Sequence, residues 1–142
     1  MKFFHAISLC FVVLMAGAVC LAQGHIEANV PEKENFDTYL KRDLNTYFSA
    51  NADNKIKVEY ELLRKPPTQV GVAYPKFYAW VKVLKDNTLQ QQGAVRIAAI
   101  EQEEFQITDF VSAEKIRREP QILERTFPAA LCPKIVELAG QR

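Results

Sequence analysis

The spacing of apolar side chains along the first third of the chain predicts one helix. Between residues 31 and 49 these side chains recur at intervals of four, four, three and one, and charged or amide residues fill the opposite face. That spacing is typical of a helix with a single buried stripe. The stripe consists of Phe36, Leu40, Leu44, Tyr47 and Phe48. We expect the helix to begin near Pro31 and to end in the polar segment 49–54.

The segments that follow have the two-residue period of β-strands. In residues 55–62 the apolar positions alternate strictly with lysine and glutamate, which predicts a half-buried strand. Residues 90–100 and 105–111 predict two more strands, and polar turns are expected at 85–88 and 101–104. Because short turns join consecutive strands without a long crossover, the pattern predicts an antiparallel meander.

Residues 69–84 form a long extended segment that contains Trp80, the only tryptophan of the chain. Gly71 and Pro75 predict a break or bulge within it, because proline donates no hydrogen bond to a sheet. After the break, alternation places Tyr78 and Trp80 on the face that points away from the helix. Two interpretations follow: the C-terminal segment covers this face, which we favour, or the rings form an exposed patch that binds a partner.

After residue 111 the predicted secondary structure changes from strands to short helices. Ser112 is a favourable N-cap, and Pro120, Pro128 and Pro133 interrupt the apolar spacing that follows. We expect this segment to fold back over the sheet. The fold class predicted for residues 31–142 is therefore α+β, with one N-terminal helix on a four-stranded antiparallel meander sheet and short C-terminal helices, all in a single domain.

The N-terminus has the features of a secretory signal peptide. Lys2 precedes an apolar run over 11–19, and small residues at 20 and 22 resemble a cleavage site. We expect residues 1–22 to be removed and residues 23–30 to remain as a flexible arm. The apolar run is shorter than the span of about 20 residues that a membrane helix needs, so no stable membrane span is expected after processing.

Charge and cysteine content limit the cellular compartments and the classes of partner that the sequence favours. The chain has 18 basic and 17 acidic residues, and removal of Lys2 leaves it formally neutral, which gives no reason to expect nucleic acid as a partner. Cys132 is the only cysteine after residue 22, so no internal disulfide is possible. We interpret it as a small buried side chain, with pairing between chains as the alternative. An exported chain without disulfides favours a periplasmic or secreted protein of bacterial type.

Few residues suggest catalysis. His25 is the only histidine outside the signal, so neither a zinc site nor a triad has enough candidate groups, and we predict no metal, no cofactor and no enzymatic activity. Asp109 lies between Thr108 and Phe110 in an apolar strand and is the best candidate for a catalytic carboxyl, although we favour a structural role in which it caps or ends the strand. In a pocket, such a carboxyl could have a shifted pKa. A pocket of this kind would be lined by Phe77, Val81, Val95 and Phe105.

The predicted order of elements resembles the cystatin-like superfamily. In cystatins the first hairpin after the helix carries a Gln-x-Val-x-Gly loop that enters the cleft of papain-type proteases, and Gln69-Val70-Gly71-Val72-Ala73 lies in the comparable place. A glycine also precedes the helix, at Gly24. The resemblance implies that Gly24, Gln69, Val70 and Gly71 would contact a protease. The strand order is also similar to that of nuclear transport factor 2-like domains, which enclose pockets.

These observations lead to three expected functions. The first is an exported, non-enzymatic domain that binds another protein or an envelope component, with Tyr78 and Trp80 as further candidate contacts. The second is a cystatin-like inhibitor of papain-type cysteine proteases. The third is a small pocket enzyme or ligand carrier that uses Asp109.

Overall fold

A computed structural model describes residues 29–49, 56–65 and 74–141. The predicted signal peptide and nearly all of the predicted arm lie outside these residues. Among the described residues, none of the helices combines the length and the apolar content needed to span a bilayer.

The first helix, α1, spans Lys33–Ser49. It begins two residues after Pro31, because the carbonyl of Glu32 accepts hydrogen bonds from Asn35 N and Phe36 N, both at 2.9 Å. The predicted apolar stripe is confirmed at four of its five residues: Leu40 and Leu44 are fully buried, Phe48 is nearly so, and Phe36 packs partly buried against the core. The prediction is wrong for Tyr47, which is 43% exposed because it lies at the margin of the stripe beside Phe48. α1 therefore packs on the sheet through one face.

Four strands follow in chain order: β1 (Ile56–Leu62), β2 (Lys76–Lys85), β3 (Thr88–Glu101) and β4 (Glu104–Ser112). Their order in the sheet is β1-β2-β3-β4 and every pair is antiparallel, as the sequence predicts. The β2–β3 turn consists of Asp86 and Asn87, which have φ angles of 51° and 61°. A two-residue hairpin turn with positive φ at both positions matches the twist of the strands, and aspartate and asparagine tolerate that conformation.

The face of the sheet that meets α1 carries one hydrophobic core. Phe77, Ala79, Val81 and Val83 of β2 contribute the side chains predicted for this face. They are joined by Val58 of β1, Val95, Ile97 and Ala99 of β3, and Phe105 of β4. Phe36 extends the core toward the N-terminus of α1, with ring centroids 5.2 Å from Phe77 and 4.9 Å from Phe105 in edge-to-face geometry.

The opposite face of the sheet is covered by the C-terminal segment. This segment contains helix α2 (Ala113–Arg118), 3₁₀ helices at Pro120–Arg125 and Ala129–Leu131, and helix α3 (Cys132–Gly140). Ser112 caps α2 as predicted, since its hydroxyl accepts a hydrogen bond from Lys115 N at 3.3 Å. Ile116, Leu123 and Ile135 are the fully buried centre of this layer. The sheet is therefore enclosed between helices on both sides.

A β-bulge in β4 decides which side chains face each layer. The pairing with β3 shifts after Arg96, so that Thr108 is the extra residue between the pairs Ile97–Ile107 and Arg96–Asp109. A shift of one residue exchanges the two faces of a strand. Phe105 and Ile107 face α1 before the bulge, and Phe110 faces α1 after it. Without the extra residue, Asp109 would point into the apolar core under α1.

Gly93 is the position where the close approach of β3 and β4 requires glycine. A Cβ atom there would lie 2.3 Å from Val111 O and 2.7 Å from Phe110 Cε2. Gly93→Ala should therefore destabilise the protein by about 1–3 kcal/mol, because backbone atoms of β4 must move. Urea unfolding of the variant measures this loss.

Gly140→Ala is the matched control, since nothing lies within 4 Å of a Cβ atom at that position. We expect its free energy of unfolding to equal that of the parent chain or to exceed it by up to about 1 kcal/mol. Equal stability of the two alanine variants would contradict the close packing of β3 against β4.

Candidate functional site

Four of the six residues predicted to bind a partner lie outside the described part of the chain. Gly24 precedes it, and Gln69, Val70 and Gly71 belong to the undescribed segment 66–73 between β1 and β2. Their role stays a prediction.

The other two predicted residues, Tyr78 and Trp80, are core side chains. They are 6% and 3% exposed and pack with the C-terminal layer, where the Tyr78 ring lies 5.8 Å from the ring of Phe127. This is the covered arrangement that the sequence analysis favours over an exposed patch. A partner could reach either ring only after the C-terminal layer had moved.

Asp109 does not reach the space that a pocket under α1 would occupy. The four residues proposed to line such a pocket are each at most 3% exposed and pack into the core under α1. Asp109 pairs with Arg96 on the other face, where its Oδ2 lies 2.6 Å from Arg96 Nη2. Oδ2 is buried and accepts no well-aligned hydrogen bond, so the contact is a charge pair. Asp109 therefore acts as a structural partner of Arg96 at the bulge.

An accessible concave surface at the sheet edge is a groove between α1 and the beginning of β4. Its volume is about 600 Å³ and it is broadly open to solvent. We call it the α1–β4 groove. One wall is formed by Arg42, Asp43, Thr46 and Tyr47, and the other by residues 101 and 103–107.

Asp43 links the two walls of the groove. Its Oδ2 accepts a hydrogen bond from Phe105 N at 2.7 Å, and its Oδ1 accepts one from Arg42 Nε at 2.8 Å. The Arg42 guanidinium also donates to the carbonyl of Glu103 and lies 4.9 Å above the Tyr39 ring centroid. Charged hydrogen bonds of this kind are stronger than neutral ones, so these contacts hold the β3–β4 turn against the helix.

The opposite edge of the sheet is held in the same way. Asn45 Oδ1 accepts a hydrogen bond from Val58 N in β1 at 2.9 Å. Asp43 and Asn45 flank the fully buried Leu44, and successive helical residues are rotated by about 100°, so the two side chains diverge toward opposite edges. α1 therefore satisfies one outward N–H group on each edge strand.

Tyr47, on the helix wall of the groove, rests on other aromatic side chains. Tyr47 is 43% exposed, and its ring packs edge-to-face on Phe48 with centroids 4.9 Å apart. Phe48 packs in turn on Phe110 of β4 at 5.0 Å. Ile107 is half-buried beside them. An exposed ring that rests on core side chains is held in place and can contact a ligand at low entropic cost.

The groove is acidic. Asp43, Glu101, Glu103 and Glu104 line it together with one guanidinium, Arg42, which leaves a formal charge of −3. In the described part of the chain, no three His, Cys, Asp or Glu side chains are grouped closely enough to hold a metal ion. The carboxylates therefore create an extended negative surface.

Local hydrogen bonds and burial shift the pKa values of three groups outside the groove. The pKa of Asp37 is lowered because its carboxylate accepts hydrogen bonds from Lys41 and from the Tyr60 hydroxyl. Burial and the bond to Asp37 raise the pKa of Tyr60. Burial also raises the pKa of the Cys132 thiol, which keeps it protonated and a poor nucleophile.

The helical spacing assigns the charged and amide residues of 31–49, Arg42 and Asn45 among them, to the face opposite the apolar stripe, and it predicts a polar turn at 101–104. A groove between a helix and a strand 60 residues later cannot be inferred from periodicity alone. One signal was present: Asp43 and Asn45 directly flank a central stripe residue, where a short polar side chain can reach an adjacent edge strand.

Comparisons with known proteins do not assign the site, since no family model matches the chain and neither a curated protein nor a solved structure shows a significant match.

Asp43→Ala should destabilise the protein by about 1–2 kcal/mol, because Phe105 N and the Arg42 guanidinium lose their shared acceptor. Asp43→Asn keeps an acceptor oxygen for Phe105 N and should lose less than half as much. Urea unfolding of both variants at neutral pH measures the difference. Equal losses would show that the charge of Asp43, and not its hydrogen bond to β4, holds the groove together.

Proposed function

We propose that the chain is an exported, non-enzymatic domain that binds another protein, and that the α1–β4 groove is its contact surface. The observation that carries this proposal is the open edge of β4 beside an accessible groove, in a domain where helices cover both faces of the sheet. Export is proposed from the signal-like pattern of residues 1–22.

The shape of the groove favours a protein over a small molecule. Small-molecule sites enclose most of the ligand surface, whereas this groove is wide open and flanked by exposed charges. The core under α1 is closely packed at the four residues that a ligand pocket would need. A ligand carrier or pocket enzyme therefore has less support than a binding domain.

A photo-crosslinking amino acid at position 47 tests this proposal. The Tyr47 side chain is accessible in the groove, so p-benzoylphenylalanine there should crosslink the mature chain to one or a few specific proteins from the native envelope or culture fluid. Mass spectrometry identifies the products. Excess unlabelled parent chain should abolish them.

The same amino acid at position 136 is the matched control. Val136 is similarly exposed, at 44%, but lies on α3 on the other side of the sheet. It should give none of the products obtained from position 47. Identical products at both positions, or no product at position 47, would contradict the proposed surface.

A cystatin-like inhibitor is the second candidate, and one feature of the sheet supports it. In an antiparallel meander alternate connections share one end of the sheet, so the described ends of the β1–β2 connection lie at the same end as the β3–β4 turn. Ala99 N donates to Pro75 O at 3.0 Å at this end, and Phe36 near the start of α1 packs there too. The described residues that border the segment with Gln69, Val70 and Gly71, and those at the start of α1, therefore lie at this end.

A papain assay tests this candidate. An inhibitor should reduce papain activity at about micromolar concentration of the mature chain, and Val70→Asp should remove the effect. Asn87→Asp alters the turn at the opposite end of the sheet and should leave inhibition unchanged. Full protease activity at about ten micromolar protein would exclude the inhibitor function.

A further inference from the structure

We propose that the α1–β4 groove binds an extended, basic peptide segment of the partner, which pairs with the outer edge of β4 as an additional strand. This inference rests on the proposed protein-binding function and specifies the chemistry of the partner.

The edge of β4 supplies backbone groups for such pairing. β4 is the last strand of the sheet, and Phe105 N points away from β3, where Asp43 Oδ2 already accepts its hydrogen bond. The groups left for pairing are those that follow Phe105 N along this side. Backbone groups in an antiparallel strand alternate between its two sides, so the N–H and C=O of Ile107 face the same open side. Extended peptides recognised by strand addition use such groups for affinity.

The bulge limits the length of this edge. Thr108 interrupts the pairing directly after Ile107, and bulges are a common means of preventing unwanted association of edge strands. The part available for pairing therefore runs from the carbonyl of Phe105 to Ile107. A partner strand that pairs with this edge also passes the β3–β4 turn, which contains Glu101, Glu103 and Glu104.

The charge of the groove selects a basic peptide. Glu101, Glu103 and Glu104 are exposed, and the groove has a formal charge of −3. Complementary charges accelerate encounter and discourage partners of like charge. The exposed Tyr47 ring and the half-buried Ile107 offer apolar contact to alternate residues of the added strand. The preferred segment therefore alternates basic and apolar residues.

The probe for this inference is a capped decapeptide that alternates lysine and valine, titrated into the ¹⁵N-labelled mature chain. The amide signals of Phe105 and Ile107 should shift, while those of Val136 and Ala139 on α3 should not. Raising the salt concentration from about 50 to 500 mM should weaken binding about tenfold, because the glutamates are exposed. A titration in which only α3 signals move would overturn the inference.

Two control peptides separate strand pairing from general charge attraction. A peptide with glutamate in place of lysine should bind at least about tenfold more weakly. A lysine–valine peptide that is N-methylated at alternate residues keeps its charge but loses backbone donors on one side, and methylation on the pairing side should abolish binding. Unchanged binding by the methylated peptides of both registers would show that no strand is added.

A matched pair of protein variants tests the role of the turn. Replacing Glu101, Glu103 and Glu104 by glutamine should weaken binding of the lysine peptide about tenfold. Replacing Glu114, Glu119 and Glu124 by glutamine removes the same charge from the exposed surface of the C-terminal layer and should have little effect. Equal losses from both triple variants would contradict recognition at the groove.

The crosslinking and the peptide experiments test two different claims: that the groove binds a protein, and that the bound segment is a basic strand. If position 47 crosslinks to a specific protein but the lysine peptide does not bind, the proposed function stands and the basic strand is wrong. If neither is observed, both are wrong. If the Ile107 signal shifts with the concentration of the chain alone, the groove is occupied by a second copy of the chain, and the basic-peptide inference is overturned.

Discussion

The structure depends on β2 being buried from both sides at once. Phe77, Ala79 and Val81 face α1, while Tyr78 and Trp80 face the C-terminal layer, and all five are at most 6% exposed. Residues 77–81 of β2 are therefore apolar on both faces. In β1, by contrast, the second face carries Lys57, Glu59 and Glu61. Full burial of a large apolar side chain contributes about 1.5–3 kcal/mol to the free energy of unfolding. The side chains of this one strand therefore stabilise both cores.

α1 contacts the centre of the sheet through an apolar side chain and the two edge strands through polar ones. Leu44 is buried at the middle of the sheet, and its neighbours Asp43 and Asn45 reach β4 and β1. Each hydrogen bond satisfies a donor that an edge strand would otherwise leave to solvent or to another chain. The contact at β4 is the more open of the two, since the groove begins there. The same contact that stabilises the sheet therefore defines the surface proposed for binding.

Most of the secondary structure was predictable because apolar periodicity is a local property. The stripe of α1, the alternation in β1 and the faces of β2 all follow from spacing within single segments. The bulge was harder to predict, although the sequence contains a signal: Phe105 and Ile107 are followed by Phe110, which breaks the two-residue period. The extra Thr108 turns Asp109 toward Arg96 and away from the pocket that was the less favoured interpretation of this residue. The groove was not predictable, because it needs the relative position of α1 and β4.

The position of Trp80 gives the protein a built-in optical reporter. It is the only tryptophan, and it is 3% exposed under the C-terminal layer and not under α1. Its fluorescence therefore reports the docking of residues 113–140 on the sheet, independently of α1. Because the groove lies on the other side of the sheet, the same signal separates events in the C-terminal layer from events at the groove.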